Sequence, residues 1–312
     1  MRWIFWPVAA LLAVWALLRT SGVEGPWAWV ALVAFTPYVA LGSALTLLAA
    51  TLARDRVATG VLLVTTLVLA GAVTPRYLPD GEHATGRPLR VLSANLMLGV
   101  ADPEAVLALV RRLRPDVFAV QELTAESRER LAPLRELLPH AVERATPGAV
   151  GSAIYSRHPL SELPMLEFGA FRQSRALVRP AGGPEFELVS VHPCAPKPET
   201  RLPCWRDGLR ALPRGGPRLT VLAGDFNATL DHGHLRELLD SGYRDAAEVT
   251  GHGLTATWPM LAYGPVPGVT IDHVLADRRI GVTAFEAVTV PGTDHRAVFA
   301  ALTLPAVGSG PR

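Results

Sequence analysis

Three apolar stretches without a charge, crowded into the first quarter of the chain, restrict the accessible folds more than any other feature. They run from Trp3 to Leu18, from Gly25 to Ala53 and from Val57 to Pro75, which is 16, 29 and 19 residues respectively. At about 1.5 Å of rise per residue the second and third can cross a hydrocarbon core about 30 Å thick. The first nearly can, if Arg2 and Arg19 extend toward the interfaces. The sequence therefore predicts a membrane region over residues 1–75, with three transmembrane helices at about 3–20, 27–53 and 57–75. Trp3, Trp6, Trp15, Trp27, Trp29 and Tyr38 lie in these stretches, several near the predicted ends, where amphipathic rings settle. A cleaved signal peptide is the competing reading of the first stretch, but no clean small-x-small cleavage site follows it and two more apolar stretches do.

Three spans place the two chain ends on opposite sides of a membrane. Arg2 and the loop Arg54-Asp55-Arg56 then share one side, and Arg19 and Glu24 face the other. The positive-inside rule makes the first side cytoplasmic, giving a multi-pass protein with everything after Pro75 extracytoplasmic; Arg76 counts against that assignment. The only cysteines, Cys194 and Cys204, lie in the later part of the chain. A disulfide between them would suit an oxidising exterior, and two unpaired thiols are the alternative.

From Pro88 onward the pattern changes to short apolar runs separated by turn residues. Strands are predicted over 89–96, 117–121, 152–156, 176–179, 186–192, 219–224, 271–276, 280–290 and 297–302, with helices over 103–113, 125–138 and 233–241. This strand-heavy alternation points to one α/β (α+β) domain with two stacked sheets at 88–305, after a linker at 76–87 and before a tail at 306–312. Residues after position 88 include 24 basic and 24 acidic side chains, and Lys197 is the sole lysine. A neutral domain without a basic stripe carries no electrostatic footprint for nucleic acid.

Polar residues gather at predicted strand ends. Asn95 closes Val91-Leu92-Ser93-Ala94-Asn95, and Gln121-Glu122 closes the next strand. In Gly224-Asp225-Phe226-Asn227 an acid and an amide fall on one side of an extended backbone, able to hold a water and a phosphoryl oxygen together; an Asx turn is the bland alternative. Thr293-Asp294-His295 offers a metal carboxylate and an imidazole, and Asp272, in Ile271-Asp272-His273, can orient that imidazole by accepting its other N–H.

In this order Asn95, Gln121-Glu122, Gly151 to Arg157 with Pro159, His192, Gly224-Asp225-x-Asn227, Ile271-Asp272 and Thr293-Asp294-His295 resemble the endonuclease/exonuclease/phosphatase superfamily, which includes DNase I-like nucleases, inositol polyphosphate phosphatases and neutral sphingomyelinases. The resemblance spans about residues 88–303. It implies a DNase I-like four-layer sandwich of two packed β-sheets flanked by helices, and metal-dependent hydrolysis of a phosphate ester. It further implies Glu122 as the main Mg²⁺ ligand, with Asn95 and Asp294 close to the ion. Asp225 and Asn227 would handle the attacking water and the phosphate, His295 would act with Asp272, and His192 would stabilise charge on the transferring group. Mn²⁺ or Ca²⁺ are alternatives to Mg²⁺ with such oxygen donors. Arg175 is a further candidate phosphate contact, with a structural role as its alternative.

Other histidines carry weaker signals. His232-Gly233-His234 lacks a third nearby ligand and reads as capping or solvent-facing, and His273 reads as packing or substrate-facing. His83, His140, His158 and His252 have no spacing that demands chemistry. A membrane tether shifts the substrate toward phosphorylated, lipid-linked molecules, since it raises the local concentration of head groups. Three helices before an outward-facing domain of this kind also resemble the VanJ-type teicoplanin-resistance membrane proteins, which implies lipid-linked phosphates of cell-wall synthesis as substrates. An extracytoplasmic nuclease with a different groove and a catalytically inactive binding module are the competing functional readings.

Overall fold

A computed structural model describes residues 2–81, 85–169, 171–197, 201–260 and 266–306. His83 and nearly all of the predicted tail lie outside the described residues. The chain opens with helices α1 (Phe5–Ser21), α2 (Trp27–Val33), α3 (Thr36–Leu52) and α4 (Arg56–Val73). The 29-residue apolar stretch is therefore not one straight helix: α2 and α3 meet at 71°. Pro37 has no N–H to give the Val33 carbonyl, which instead accepts from Thr36 Oγ1 at 2.7 Å. Of the three spans expected, one stretch among the described residues, Arg56–Tyr77, is long and apolar enough to cross a bilayer, or two if the bent pair counts as a single broken span; α1 has 17 residues. Small side chains let α1, α3 and α4 approach through Ala9, Ala50 and Ala58 beside Leu62, and Ser43 and Thr66 share a hydrogen bond of 2.7 Å between α3 and α4.

The remainder forms β1 (Arg87–Asn95), α5 (Pro103–Leu113), β2 (Val117–Gln121), α6 (Ala125–Arg130), α7 (Leu134–Leu137), β3 (His140–Arg144), β4 (Ser152–Ser156), β5 (Leu160–Phe168), β6 (Phe171–Val178) and β7 (Phe186–Val191). It continues through α8 (Leu202–Arg210), β8 (Thr220–Asp225), α9 (Gly233–Asp240), β9 (Tyr243–Asp245), α10 (Ala246–Val249), β10 (Asp272–Asp277), β11 (Gly281–Thr289) and β12 (Arg296–Leu304). Two mixed sheets result, ordered β11-β12-β1-β2-β4-β3 and β5-β6-β7-β8-β10-β9. Their facing sides enclose a core that includes Val91, Ala119, Ile154, Leu188, Val221, Val274 and Ala300. Helix α5 covers the outer face of the first sheet with Val106, Leu107 and Val110, while α8 and α9 cover the second with Trp205, Leu209, Leu235 and Leu238. This is the four-layer arrangement of two packed sheets flanked by helices.

Each sheet holds one parallel pair, β1 with β2 and β7 with β8. Parallel neighbours end at the same edge, so side chains just past four strand ends converge on one rim of the sandwich. Gly224 makes a close approach there: a Cβ on it would sit 2.0 Å from the Val191 carbonyl oxygen, so no larger residue lets β7 and β8 run this near each other.

The helical region is docked on the domain through a buried ion cluster. Arg76 donates to Asp231 from both terminal nitrogens, at 2.7 and 2.6 Å, and Arg19 Nε donates to the same carboxylate at 3.0 Å. The predicted linker is also pinned, by a bridge between Pro79 and Thr250 and by Asp80 N donating to the Val249 carbonyl at 2.9 Å. Burial acts to raise the Asp231 pKa, but Arg76 and then Arg19 outweigh it and hold the carboxyl below its usual range. Because the folded value is depressed, this contribution to stability is complete above the ordinary carboxylate pKa of about 4 and disappears as pH falls through the lowered folded value. Replacing Asp231→Asn leaves the buried Arg76 and the part-buried Arg19 guanidinium groups without their counter-charge and is expected to cost about 3–5 kcal/mol, read from the denaturant midpoint of the full chain in detergent. The wild-type midpoint should hold at neutral pH and drop below about pH 4, and the variant should lose that acid-sensitive component.

Candidate active site

The rim where the four parallel strands end collects the predicted residues. Asn95 ends β1, Glu122 follows β2, His192 follows β7 and Asp225 ends β8. Asp272 opens β10 directly across the antiparallel ladder from Asp225, and His295 immediately precedes β12. Glu122 and Asn227 hold left-handed backbone conformations, with φ of 58° and 49°. Such conformations are uncommon for residues with a Cβ and tend to persist where surrounding structure enforces them for a site.

The contacts form one cluster. Asn95 Nδ2 donates to Glu122 Oε1 at 3.0 Å and to Asp225 Oδ2 at 3.1 Å. His192 Nε2 lies 3.5 Å from Asp225 Oδ2 and 3.7 Å from Glu122 Oε1. His295 Nδ1 faces both Asp272 oxygens at 3.1 and 3.0 Å, and its Nε2 lies 3.8 Å from both Asp225 and Asp294. Asp225 Oδ1 also accepts the Asn227 N–H at 2.8 Å, so the Asx turn and the functional arrangement coexist in one carboxylate. Beneath the rim Gln121 Nε2 donates to Ser190 Oγ at 3.0 Å, tying the two sheets together under the cluster.

Electrostatics divides the acids. Burial raises Asp272, and the negative charge of Asp225 adds to the rise against the pull of His295. Asp225 is buried as well, yet His295, His192 and the Asn227 N–H outweigh burial and keep its carboxyl below the usual range. Burial works against a charged His295, but Asp272 and Asp225 push its pKa up to about 10. The arrangement thus favours an imidazolium beside an ionised Asp225, with Asp272 fixing the ring.

Ligand atoms of Asp225, Asp272 and His295 lie within 4.8 Å of one another. Asp272 is engaged by His295 Nδ1, which suits orientation better than coordination. Glu122, Asp225 and Asp294 instead face the cleft. These three carboxylates and the adjoining Asp272 outnumber the two imidazoles, an excess of negative charge with hard oxygen donors that fits a divalent cation. Asn95 stands beside the acids as expected. Its oxygen accepts the Met97 N–H at 2.8 Å, so the amide nitrogen is what reaches the carboxylates, and the residue positions Glu122 and Asp225. Asp294 Oδ2 accepts from Trp258 Nε1 at 2.9 Å.

Arg175 does not join the cluster. Its Nε and one terminal nitrogen donate to Glu187 at 2.8 and 2.6 Å, and the other donates to the Pro164 carbonyl at 3.2 Å, so it ties β6 to β7. His273 is fully buried between the Asp245 carboxylate, 2.8 Å from Nδ1, and the Ala228 carbonyl, 2.9 Å from Nε2; it braces the loop after Asp225 and does not face substrate. His232 and His234 are also buried, contrary to a solvent-facing reading. Because His232 Nδ1 accepts the Thr229 N–H at 2.8 Å, its Nε2 carries the proton and donates to the Val30 carbonyl of α2 at 2.9 Å. His234 N donates to Glu24 at 3.1 Å. The pair is part of the seam with the N-terminal helices. Cys194 and Cys204 form a disulfide with Cα atoms 5.8 Å apart. The loop that they close brings Lys197 and Arg201 to the mouth of the cleft, two cations that strand-end patterning alone does not reveal.

Comparison with known proteins agrees with this geometry. No curated protein matches the sequence. The fold resembles an endonuclease/exonuclease/phosphatase protein of Beutenbergia cavernae, at 20% identity over 70% of this chain and 72% of that one, with a TM-score of 0.54. A mannosyl-6-phosphatase of Bacteroides thetaiotaomicron is similar at 17% identity over 69% of this chain and 100% of its own, TM-score 0.54. So is the D. rerio TDP2 structure complexed with a single-strand DNA product, at 15% identity over 69% and 99%, TM-score 0.53. The model of the Endonuclease/Exonuclease/phosphatase family matches residues 92–295, which hold the whole cluster, and the chain belongs to that family.

Proposed function

We propose that the protein is a membrane-anchored, divalent-metal-dependent phosphoesterase whose catalytic domain lies outside the cytoplasm and acts on phosphorylated, lipid-linked substrates. The observation that carries the hydrolytic reading is Asp225, held ionised between the Asn95 amide and two imidazoles at the rim of the sandwich. An ionised carboxylate in this position accepts a proton from an attacking water, while Asn227 and His192 hold phosphoryl oxygens. His295, fixed by Asp272, presents positive charge to the oxygens on which charge grows in the transition state. Glu122 and Asp294, with Asp225 nearby, would hold the cation; Mg²⁺ suits these donors, with Mn²⁺ or Ca²⁺ as alternatives, and would supply Lewis-acid neutralisation of the phosphate.

The membrane reading is supported by the outer surface of the helices, where Leu11, Val14, Leu17, Leu41, Leu45, Leu48, Leu52, Val64 and Leu67 are exposed. A contiguous apolar surface of this kind marks a membrane or an interface. The orientation draws support from the charges. Arg54 and Arg56 occupy the end of the bundle away from the domain, whereas Arg19 and Arg76, at the domain end, are both committed to Asp231. A positive-inside count that sets those two aside favours a cytoplasmic loop at 54–56.

Purified full-length protein should hydrolyse a member of a panel of prenyl pyrophosphate, phospholipid, inositol phosphate and DNA in the presence of Mg²⁺, and a chelator should abolish turnover. Asp225→Ala and His295→Ala are each expected to lower kcat by at least about 10²–10⁴-fold. Wild-type rates in both variants, or full activity in chelator, would refute the assignment. Arg175→Ala should leave kcat within about twofold and show its effect in the unfolding midpoint, because it strips both guanidinium donors from the buried Glu187 Oε1 and leaves only Arg218 on Oε2, at 3.3 Å.

A further inference from the structure

The cleft above the catalytic cluster is not made by the family domain alone. It has a volume of about 540 Å³, and one wall is helix α2. Trp27, Val30, Ala31 and Ala34 follow the i, i+3, i+4, i+7 spacing of a single helical face, and all four line the cleft that Glu122, His192, Asp225 and His295 also line. Val30 is fully buried against the outer-face core of the second sheet, and its carbonyl is held by His232, so this wall is fixed in place. Trp27 is held too, its Nε1 donating to the Pro196 carbonyl at 2.8 Å. Across from α2 stand Val269 and Ile271.

The apolar lining continues beyond the cleft. A second cavity of about 260 Å³ shares Ala34 and Val269 with it and extends over Pro37, Tyr38 and Leu41 at the start of α3. Leu41 then begins an exposed row, Leu41, Leu45, Leu48 and Leu52, at helical spacing along the outside of α3. A polar end that holds the carboxylates and imidazoles and an apolar track leading to an apolar helix surface are therefore joined, and the sharp bend between α2 and α3 is what joins them.

Building on the phosphoesterase reading, we infer that the α2 wall and the start of α3 form the binding site for the hydrocarbon chain of the substrate ester, seating its phosphate at the Asp225 cluster while the chain runs over Ala31, Ala34 and Tyr38 toward Leu41. The N-terminal helices are then part of the substrate site and set its specificity, beyond holding the domain at a surface. A chain that occupies this track packs its methylenes against α2. For this reason long-chain esters are favoured over short ones that carry the same reacting group.

The test uses the full chain in lipid nanodiscs and a decylphosphonate with a diazirine at the far end of its chain, which reports binding without turnover. Photolabelling is expected to concentrate on α2 and the first turns of α3, to be suppressed by excess unlabelled decylphosphonate, and to fall in Ala34→Trp, which fills the junction of the two cavities. Labelling at Ala34 to Leu41 no greater than at Leu63 and Val64 on the outer surface of α4 would overturn the inference, as would an unchanged pattern in Ala34→Trp. In turnover the same variant should reduce the ratio of kcat/KM for a decyl ester to that for a methyl ester by about tenfold. An unchanged ratio also counts against the track. Absence of hydrolysis of any ester by the wild type, with the labelling pattern intact, would instead count against the phosphoesterase reading.

Discussion

The concentration of negative charge at one rim of the sandwich is the constraint around which the rest of the domain is arranged. Glu122, Asp225, Asp272 and Asp294 stand close enough to repel one another, and all four draw on the imidazoles of His192 and His295. Carboxylates in such surroundings stay ionised only if fixed donors replace the water they have lost. The donors are supplied by strand geometry: Asn95 reaches two of the acids from the end of β1, and the Leu98 N–H meets the other Glu122 oxygen at 2.6 Å from the turn that follows. The two parallel strand pairs are needed because only they bring Asn95, Glu122, His192 and Asp225 to the same edge.

A second polar centre lies at the other end of the loop between β8 and α9. Asp231 takes Arg19 from α1 and Arg76 from the segment after α4, His232 takes the Val30 carbonyl, and Gly233 lets the Gly22 carbonyl come so near that a Cβ would sit 2.2 Å from it. Removing any one partner strands a buried charge or polar group, which makes the joint between helices and sandwich specific as well as stable.

Much of this was readable from residue pattern. Strands such as Val117–Gln121 and Thr220–Asp225 are apolar runs, and their ends carry the amides and acids. Strand β5 is hard to read because Pro164 and the mixed polarity of Leu160–Phe168 weaken its alternation, and α8 because Pro203 and Cys204 make its start resemble a loop. The predicted helix over 125–138 is divided into α6 and α7 around Pro133. The seam was invisible for a different reason. His232 and Val30 are separated by 202 positions, and the Val30 carbonyl has no side-chain signature at all. Apolar composition likewise describes residues 27–53 as one span, because it is blind to a helix that bends to cover an enzyme cleft.

Asp231 comes four positions after Asn227, and His273 braces the same loop through the Ala228 carbonyl. The segment that bears Asn227 and the segment that grips α1 are thus one short, well-anchored stretch of backbone. Tilting the bundle relative to the sandwich would pull on that stretch, so the position of the Asn227 amide is mechanically coupled to the way α1 is seated against the domain.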